Sequence, residues 1–339
     1  MTGRTTFGYI YDFRNPEPWR RPAAELYADM LDFISWTESI GFEGAWVPEH
    51  HGADDDYVPS PLTVLGAIAA RTSTIKLGTA IALAPLYHPV RFAEDCAVID
   101  VLSGGRLEMA VAVGYRQRET DAFGVSFPGR GSRTDELLEI AKRLWAGETV
   151  TFEGKHFTVR NARITPGPVS GHIPLFVGGF SNKALERVVR FGDGYHGNIE
   201  VYPLYLDKLR EAGKDVATAR FRMIDLFFLV ARDPEQAWEE LGPHFFHVHD
   251  SYMRWQQESS NDYDLANVNI DLKPMTLDEF RASGRLRIVT PDKAIDRLRK
   301  LLAEAPIEHF IMSVPPGYPL ARFRDHAQLF ATEVMPAFQ

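Results

Sequence analysis

Eight times along this chain, a short run rich in β-branched and aromatic residues gives way to a longer run with helical periodicity. The strand-like runs fall at residues 7–13, 44–48, 75–83, 106–113, 174–178, 195–198, 222–231 and 308–314. The helical runs fall at 24–40, 61–71, 89–102, 134–145, 183–191, 202–212, from about 235 onward, and 321–334. Regular alternation of this kind demands a parallel sheet, because each strand must be reached by a right-handed crossover through a helix. Eight such units in 339 residues favour a closed (β/α)₈ TIM barrel over an open doubly wound sheet. One domain spanning residues 1–339 is the expectation.

Two stretches stand outside the repeat. Residues 149–158 read as a small hairpin turning at Glu153-Gly154-Lys155. Residues 244–287 read as a long irregular insertion before the eighth strand, broken at Ser259-Ser260-Asn261-Asp262. An insertion there is placed to cover a barrel mouth, as an active-site lid; a plain surface excursion is the alternative. Two helical runs, 61–70 and 92–102, are apolar on nearly every face. An outer barrel helix buries only one stripe, so these need a second surface. A homodimer supplies it; cover by the insertion is the other option.

Composition removes several function classes. The single cysteine, Cys96, excludes an intrachain disulfide and argues against thiolate metal sites, which fits a reducing cytoplasm. Residues 1–6 lack the apolar core of a secretory signal, and the longest apolar run, 78–86, is about half a membrane span. A net charge of −9, from 37 basic and 46 acidic side chains, offers no basic stripe for nucleic acid. The expected partner is a small molecule.

Candidate chemistry collects where barrel strands end. Trp46-Val47-Pro48-Glu49-His50-His51 closes the second strand, and vicinal histidines on a strand face opposite ways, so one of them reaches the mouth. An imidazole there can take or give a proton; a hydrogen-bonded loop histidine is the bland reading. Gly78, Thr79, Ala80 and Ala82 on the third strand leave room for a flat ring, although packed barrel interiors also favour small residues. Gly114, followed by Tyr115 and Arg116, permits close approach of a ligand at the end of the fourth strand. Gly178-Gly179, then Ser181-Asn182 opening a helix, suits a phosphate at a helix N-terminus; a simple N-cap is the competing reading. Neither a Gly-x-Gly-x-x-Gly nicotinamide fingerprint, a phosphate-binding Gly-x-x-x-x-Gly-Lys loop, a Gly-x-Ser-x-Gly elbow nor His-Glu-x-x-His occurs. His247-x-His249 falls in the irregular segment, so no metal site is expected.

In order and spacing, these motifs resemble the luciferase-like monooxygenases, a family of flavin-dependent oxidoreductases. The resemblance runs through Trp46-Val47-Pro48-Glu49-His50-His51, Gly78-Thr79-Ala80-Ile81 and His88-Pro89-Val90-Arg91-Phe92-Ala93-Glu94-Asp95. It continues through Leu102-Ser103-Gly104-Gly105-Arg106-Leu107, Val113-Gly114-Tyr115-Arg116, Asp121-Ala122-Phe123-Gly124 and Val177-Gly178-Gly179. It implies a flavin ring over Thr79, Ala80 and Ile81, with a cis peptide between Ala80 and Ile81. It further implies contacts at Gly114 and Tyr115, a flavin phosphate near Gly178, Gly179 and Ser181, His50 as the catalytic residue, and dimerisation through the paired apolar helices. Some luciferases carry a phosphate-binding arginine where this chain has Val113; Arg116, Arg130 and Arg133 are the candidate replacements.

The chemistry implied is oxygenation of a small organic substrate by a flavin hydroperoxide. Reduced FMN would come from a separate NAD(P)H:flavin reductase, and Tyr252 and Trp255 of the insertion would contact substrate or else serve only as exposed or packed residues of the lid. The alternatives are a dehydrogenase or reductase using the deazaflavin coenzyme F-420, and a non-catalytic flavin-binding protein.

Overall fold

The computed structural model describes residues 4–258 and 274–339. In chain order its elements begin β1 (Thr6–Ile10), α1 (Ala23–Ser39), β2 (Gly44–Val47), α2 (Pro61–Arg71), β3 (Lys76–Thr79), β4 (Ala82–Leu83), α3 (Pro89–Ser103) and β5 (Met109–Ala112). Next come α4 (Gln117–Ala122), α5 (Arg130–Trp145), β6 (Val150–Glu153), β7 (Thr158–Ala162), β8 (Leu175–Gly178), α6 (Asn182–Phe191), β9 (Gly194–Gly197) and α7 (Tyr202–Glu211). The chain finishes with β10 (Phe221–Ile224), β11 (Phe228–Val230), α8 (Pro234–Glu258), α9 (Leu277–Ala282), β12 (Arg287–Val289), α10 (Pro291–Glu304), β13 (Ile307–Ser313) and α11 (Leu320–Glu333).

The main sheet runs β3-β2-β1-β13-β10-β9-β8-β5-β4, and every pairing in it is parallel. Its two ends, β3 and β4, are halves of one strand interrupted at Ala80–Ile81, so the sheet closes into the eight-stranded TIM barrel. The seam is tight. Thr79 Oγ1 donates to Ala110 O at 2.5 Å and accepts from Ala110 N at 3.0 Å, stitching β3 to β5. A Cβ on Gly78 would sit 1.7 Å from Glu108 O, so only glycine lets the two strands meet.

Strand periodicity divides the side chains. Tyr9, Ala45, Val47, Val111 and Val177 join the helices in the main core, while Ile10, Trp46, Ala80 and Ile311 form a second, smaller cluster. At the amino ends of the strands lies a polar floor. The Arg222 guanidinium is stacked between Trp46 and Phe176, at 4.3 and 3.6 Å from the ring centroids, and donates to Glu108.

Three sequence expectations are corrected. The run 222–231 is two strands: β10 belongs to the barrel, while β11 leaves it and pairs with β12. The third strand is broken rather than continuous. The insertion does not turn irregular at His244, because α8 runs through Pro243 to Glu258. Pro243 forfeits one helical hydrogen bond, yet Phe245, Val248, His249 and Trp255 bury their side chains and hold the helix. The break expected at residues 259–262 lies outside the described residues. The hairpin is present as antiparallel β6 and β7. No described helix is long and apolar enough to cross a membrane.

Candidate active site

The strand ends that form the barrel mouth bring together most of the residues singled out by sequence. Val47 ends β2, and the next four residues divide two jobs. Glu49 Oε2 accepts from Leu83 N at 2.7 Å, and its Oε1 pairs with His51 Nε2 at 3.0 Å. Glu49 therefore braces the β4 half of the broken strand. His51 turns toward that carboxylate and packs on Phe123.

His50 faces the other way and is 6% exposed. Its Nδ1 lies 2.8 Å from Oε1 of Glu119, a residue of α4 that sequence reading passed over. The same oxygen accepts from His51 N at 2.9 Å and from Arg116 Nη1 at 3.1 Å. Burial pushes the Glu119 carboxyl up, but these donors, His50 foremost, outweigh it and hold the group below the ordinary glutamate range. Gly114, at φ +72°, turns the chain out of β5 so that Tyr115, Arg116 and then α4 arrive beside His50.

The rings of Tyr57, Tyr115, Tyr252 and Trp255 surround the imidazole at 4.9, 5.7, 5.9 and 4.8 Å. Tyr252 and Trp255 come from α8, which thus roofs this side of the mouth. Trp255 also packs its ring on the Arg116 guanidinium at 4.3 Å, and the Tyr57 and Tyr252 hydroxyls meet at 3.0 Å. A second polar network anchors the helix. Arg14, from the segment after β1, donates through Nε to Asp55 at 2.6 Å and through Nη2 to Ser251 at 2.7 Å. His247 Nε2 lies 2.7 Å from the same Asp55 oxygen. Burial raises the Asp55 carboxyl, but hydrogen bonds from His247 and Arg14 win and bring it down to about 2. Asp12, nearby and fully enclosed, goes the other way: burial pushes it up to about 6 against the pull of Arg14.

Across the mouth, the Ala80–Ile81 peptide is cis, as the resemblance implied. Ile81 lies over Gly178, where an added Cβ would come within 2.2 Å of Ile81 Cδ1. Gly179 takes φ +129°, and Ser181 caps α6 by accepting from Ala184 N at 3.2 Å. Of the three arginines suggested in place of Val113, Arg116 is committed to Glu119 and to His51 O, and Arg133 donates to Pro85 O. Arg130 donates to Gly114 O at 3.1 Å, at the start of α5. Arg187 of α6 donates to Gly131 O in that same first turn, joining the amino ends of α5 and α6.

A family profile described as luciferase-like monooxygenase matches residues 5–309. The chain belongs to that family. It is an oxidoreductase of the luciferase-like kind, and its relatives divide between two cofactors. It is 26% identical over 326 residues to an F420-dependent glucose-6-phosphate dehydrogenase from Microbacterium testaceum, covering 91% of this chain and 92% of that one. It is 25% identical over 313 residues to limonene 1,2-monooxygenase from Rhodococcus erythropolis, covering 88% and 77%. The oxygenating constituent of 3,6-diketocamphane monooxygenase from Pseudomonas putida, solved with FMN, superposes with a TM-score of 0.80. That match has 18% identity and covers 99% of each chain.

Sequence reading also missed the polar barrel floor. His196 and His309 are buried there, and burial lowers them to about 3 and about 4. Glu108, Glu308 and His309 place one ligand atom each within 4.8 Å of one another, a donor set that suits a metal. Arg222, Arg220 and Lys76 already answer those two carboxylates, so a cation there meets three positive neighbours. No sequence signal marked this cluster, because its members come from segments far apart in the chain.

Proposed function

We propose that this protein is the oxygenating component of a two-component flavin monooxygenase, taking reduced FMN from a separate NAD(P)H:flavin reductase and oxygenating a small organic substrate with dioxygen. The observation that carries this reading is the enclosure of His50. A proton-transferring imidazole, 6% exposed and ringed by four aromatic side chains, suits oxygen chemistry that water would discharge. The absence of a nicotinamide fingerprint in the sequence supports an outside source of reducing power.

The residues present fit a flavin. Gly178 and Gly179 bring bare backbone against Ile81 and Ala184, with no room for a Cβ, and the amino end of α6 offers a positive dipole to a phosphate beside Ser181. Thr79, Ala80 and Ile81, with Gly114 and Tyr115, would hold the ring, and Gly178, Gly179 and Ser181 the phosphate. Reduced flavin, when bound, supplies the electrons for dioxygen. The chain's own part is to position the ring, exclude water with Tyr57, Tyr252 and Trp255, and hold or move a proton at His50. In this reading α8 covers the mouth, and Tyr252 and Trp255 face the substrate. The exposed residues Val98, Val101 and Leu102 of α3 would form the homodimer contact.

A second reading, an F-420-dependent dehydrogenase, is favoured by the near full-length similarity to the Microbacterium enzyme. One experiment separates them. Purified protein is titrated with reduced FMN and with reduced F-420 while absorbance and oxygen uptake are followed. The monooxygenase reading expects tight binding of reduced FMN and oxygen uptake that depends on added substrate. Binding of F-420 alone, with hydride transfer and no oxygen uptake, overturns it. If His50→Ala leaves turnover unchanged, His50 has no part in the chemistry.

A further inference from the structure

Glu119 lies between two of the quoted motifs, 113–116 and 121–124, and its geometry says more than that it is buried. Three donors converge on a single oxygen, Oε1: the imidazole Nδ1 of His50, the backbone N–H of His51 and Nη1 of Arg116. Two of the three, the backbone amide and the guanidinium, are donors whatever the pH. An oxygen that they hold in place accepts and does not donate. The third contact must then be a donor as well, so the proton of neutral His50 sits on Nδ1. His50 Nε2, with no hydrogen-bond partner among the described residues, is left with its lone pair free.

We propose that Glu119 is a positioning residue that locks His50 in its Nδ1–H tautomer, making Nε2 the atom that takes and returns the proton. This rests on the reading of His50 as the proton-handling group. The logic is that of any base oriented by a third group: one nitrogen is pinned so that the other is aimed. Arg116 completes the device. It sits 3% exposed against Trp255, donates to Glu119 and to His51 O, and places a fixed positive charge beside the carboxylate. The groups facing His50 are Glu119 and Arg116 from the α4 side, Tyr115 after β5, Tyr57 from the loop after β2, and Tyr252 and Trp255 from α8. Only Glu119 among them is hydrogen-bonded to the imidazole.

Two variants test this. Glu119→Gln keeps an oxygen that His51 N and Arg116 still hold, so the tautomer survives while the charge is lost. Glu119→Leu removes the acceptor. Ring-nitrogen NMR of the whole protein, with the His50 signals assigned by their loss in His50→Ala, reads the tautomer without any flavin or substrate. Wild type and Glu119→Gln are expected to show Nδ1 protonated, and Glu119→Leu to shift toward the Nε2–H form that an unconstrained imidazole prefers. Turnover should drop at least tenfold in Glu119→Leu and recover in part in Glu119→Gln. Unchanged His50 signals in a folded Glu119→Leu protein overturn the inference. A tautomer switch with His50→Ala still fully active would instead overturn the role given to His50 and leave the positioning intact.

Discussion

Trp255, on the helix that follows the seventh barrel strand, packs its indole 4.8 Å from the imidazole of His50 at the end of the second. Two parts of the chain 205 residues apart therefore share one enclosed space, with the indole as its ceiling. The same ring lies 4.3 Å from the Arg116 guanidinium and 5.5 Å from that of Arg14. Removing it takes the aromatic face from Arg116 and leaves Arg14 with Tyr57 alone, 5.1 Å away. Trp255→Ala is expected to cost about 3 kcal/mol in urea unfolding, the usual scale for a large aromatic truncated in a core. Trp255→Phe should recover more than half of that. If His50 is the proton-handling group, Trp255→Ala should also waste reduced flavin, seen as more hydrogen peroxide released per flavin oxidised.

The contact between Ile81 and Gly178 makes a different kind of prediction. A methyl group on Gly178 would lie 2.2 Å from Ile81 Cδ1, so Ile81 must shift, and with it the place proposed for the flavin ring. Gly178→Ala should weaken flavin binding about tenfold, which is about 1.4 kcal/mol, while thermal stability changes little. In an Ile81→Ala background the same change should be nearly neutral. Fluorescence titration of the four proteins gives the coupling directly, and additive losses would show that the two residues act separately.

The eight-unit barrel was legible because each unit announces itself through a change of hydrophobic period from 2 to 3.6. α2, expected at 61–71, is Pro61–Arg71. α8 was not legible beyond residue 243, since Gly242-Pro243 reads locally as a stop and only burial of Phe245, Val248 and Trp255 carries the helix onward. His50 could be found because it lies in a compact motif. Glu119 could not: it is 69 positions away, in a stretch with too few residues for periodicity to show a helix. Arg14, Asp55 and His247 illustrate the same limit, as do Glu108 and Arg222, 114 positions apart. Pairings between charged residues on different strands leave no local pattern.

The barrel floor sets an acid limit on stability. His196 and His309 are held neutral by burial, at about 3 and about 4, below the ordinary histidine value of about 6.5. As pH falls through about 6.5, the unfolded chain binds protons that the folded chain does not. Their stabilising effect is full above that point and is lost as pH falls toward the folded values. Asp12, raised to about 6, works oppositely, losing its contribution as pH rises from its unfolded value of about 3.9. Urea midpoints should fall between about pH 7 and about pH 5, and less steeply in His196→Gln or His309→Gln than in wild type. Equal slopes in all three proteins would show that these histidines titrate normally.

The Arg14–Asp55 pair ties the loop after β2 to the segment after β1, with both side chains nearly inaccessible. Breaking such a pair strands a charge. Asp55→Asn and Arg14→Met are each expected to cost about 3–5 kcal/mol, and the double variant less than their sum. His247 should respond as well, since it shares the Asp55 oxygen with Arg14. Proteolysis within α8, detected by mass spectrometry, is expected to accelerate in Asp55→Asn, because the ion-pair contact that holds His247 of that helix is weakened.

The outer face of α3 carries Val98 at 44%, Val101 at 44% and Leu102 at 57% exposure, with Val169 at 59% beside it. These are four of the five large hydrophobic residues exposed among the described part of the chain, and Val169 is held there by its N–H to Asp100. Apolar side chains gathered in this way favour association, and a two-fold axis brings the same patch onto itself. A single Leu102→Glu change then places two like charges near the axis and desolvates both. Sedimentation equilibrium at micromolar concentration should find wild type as dimer and Leu102→Glu as monomer. The circular dichroism of the two should match, since Leu102 is too exposed to matter to the fold of one subunit. A wild-type monomer under those conditions would remove the dimer, while the enclosed site around His50, built within one chain, would stand.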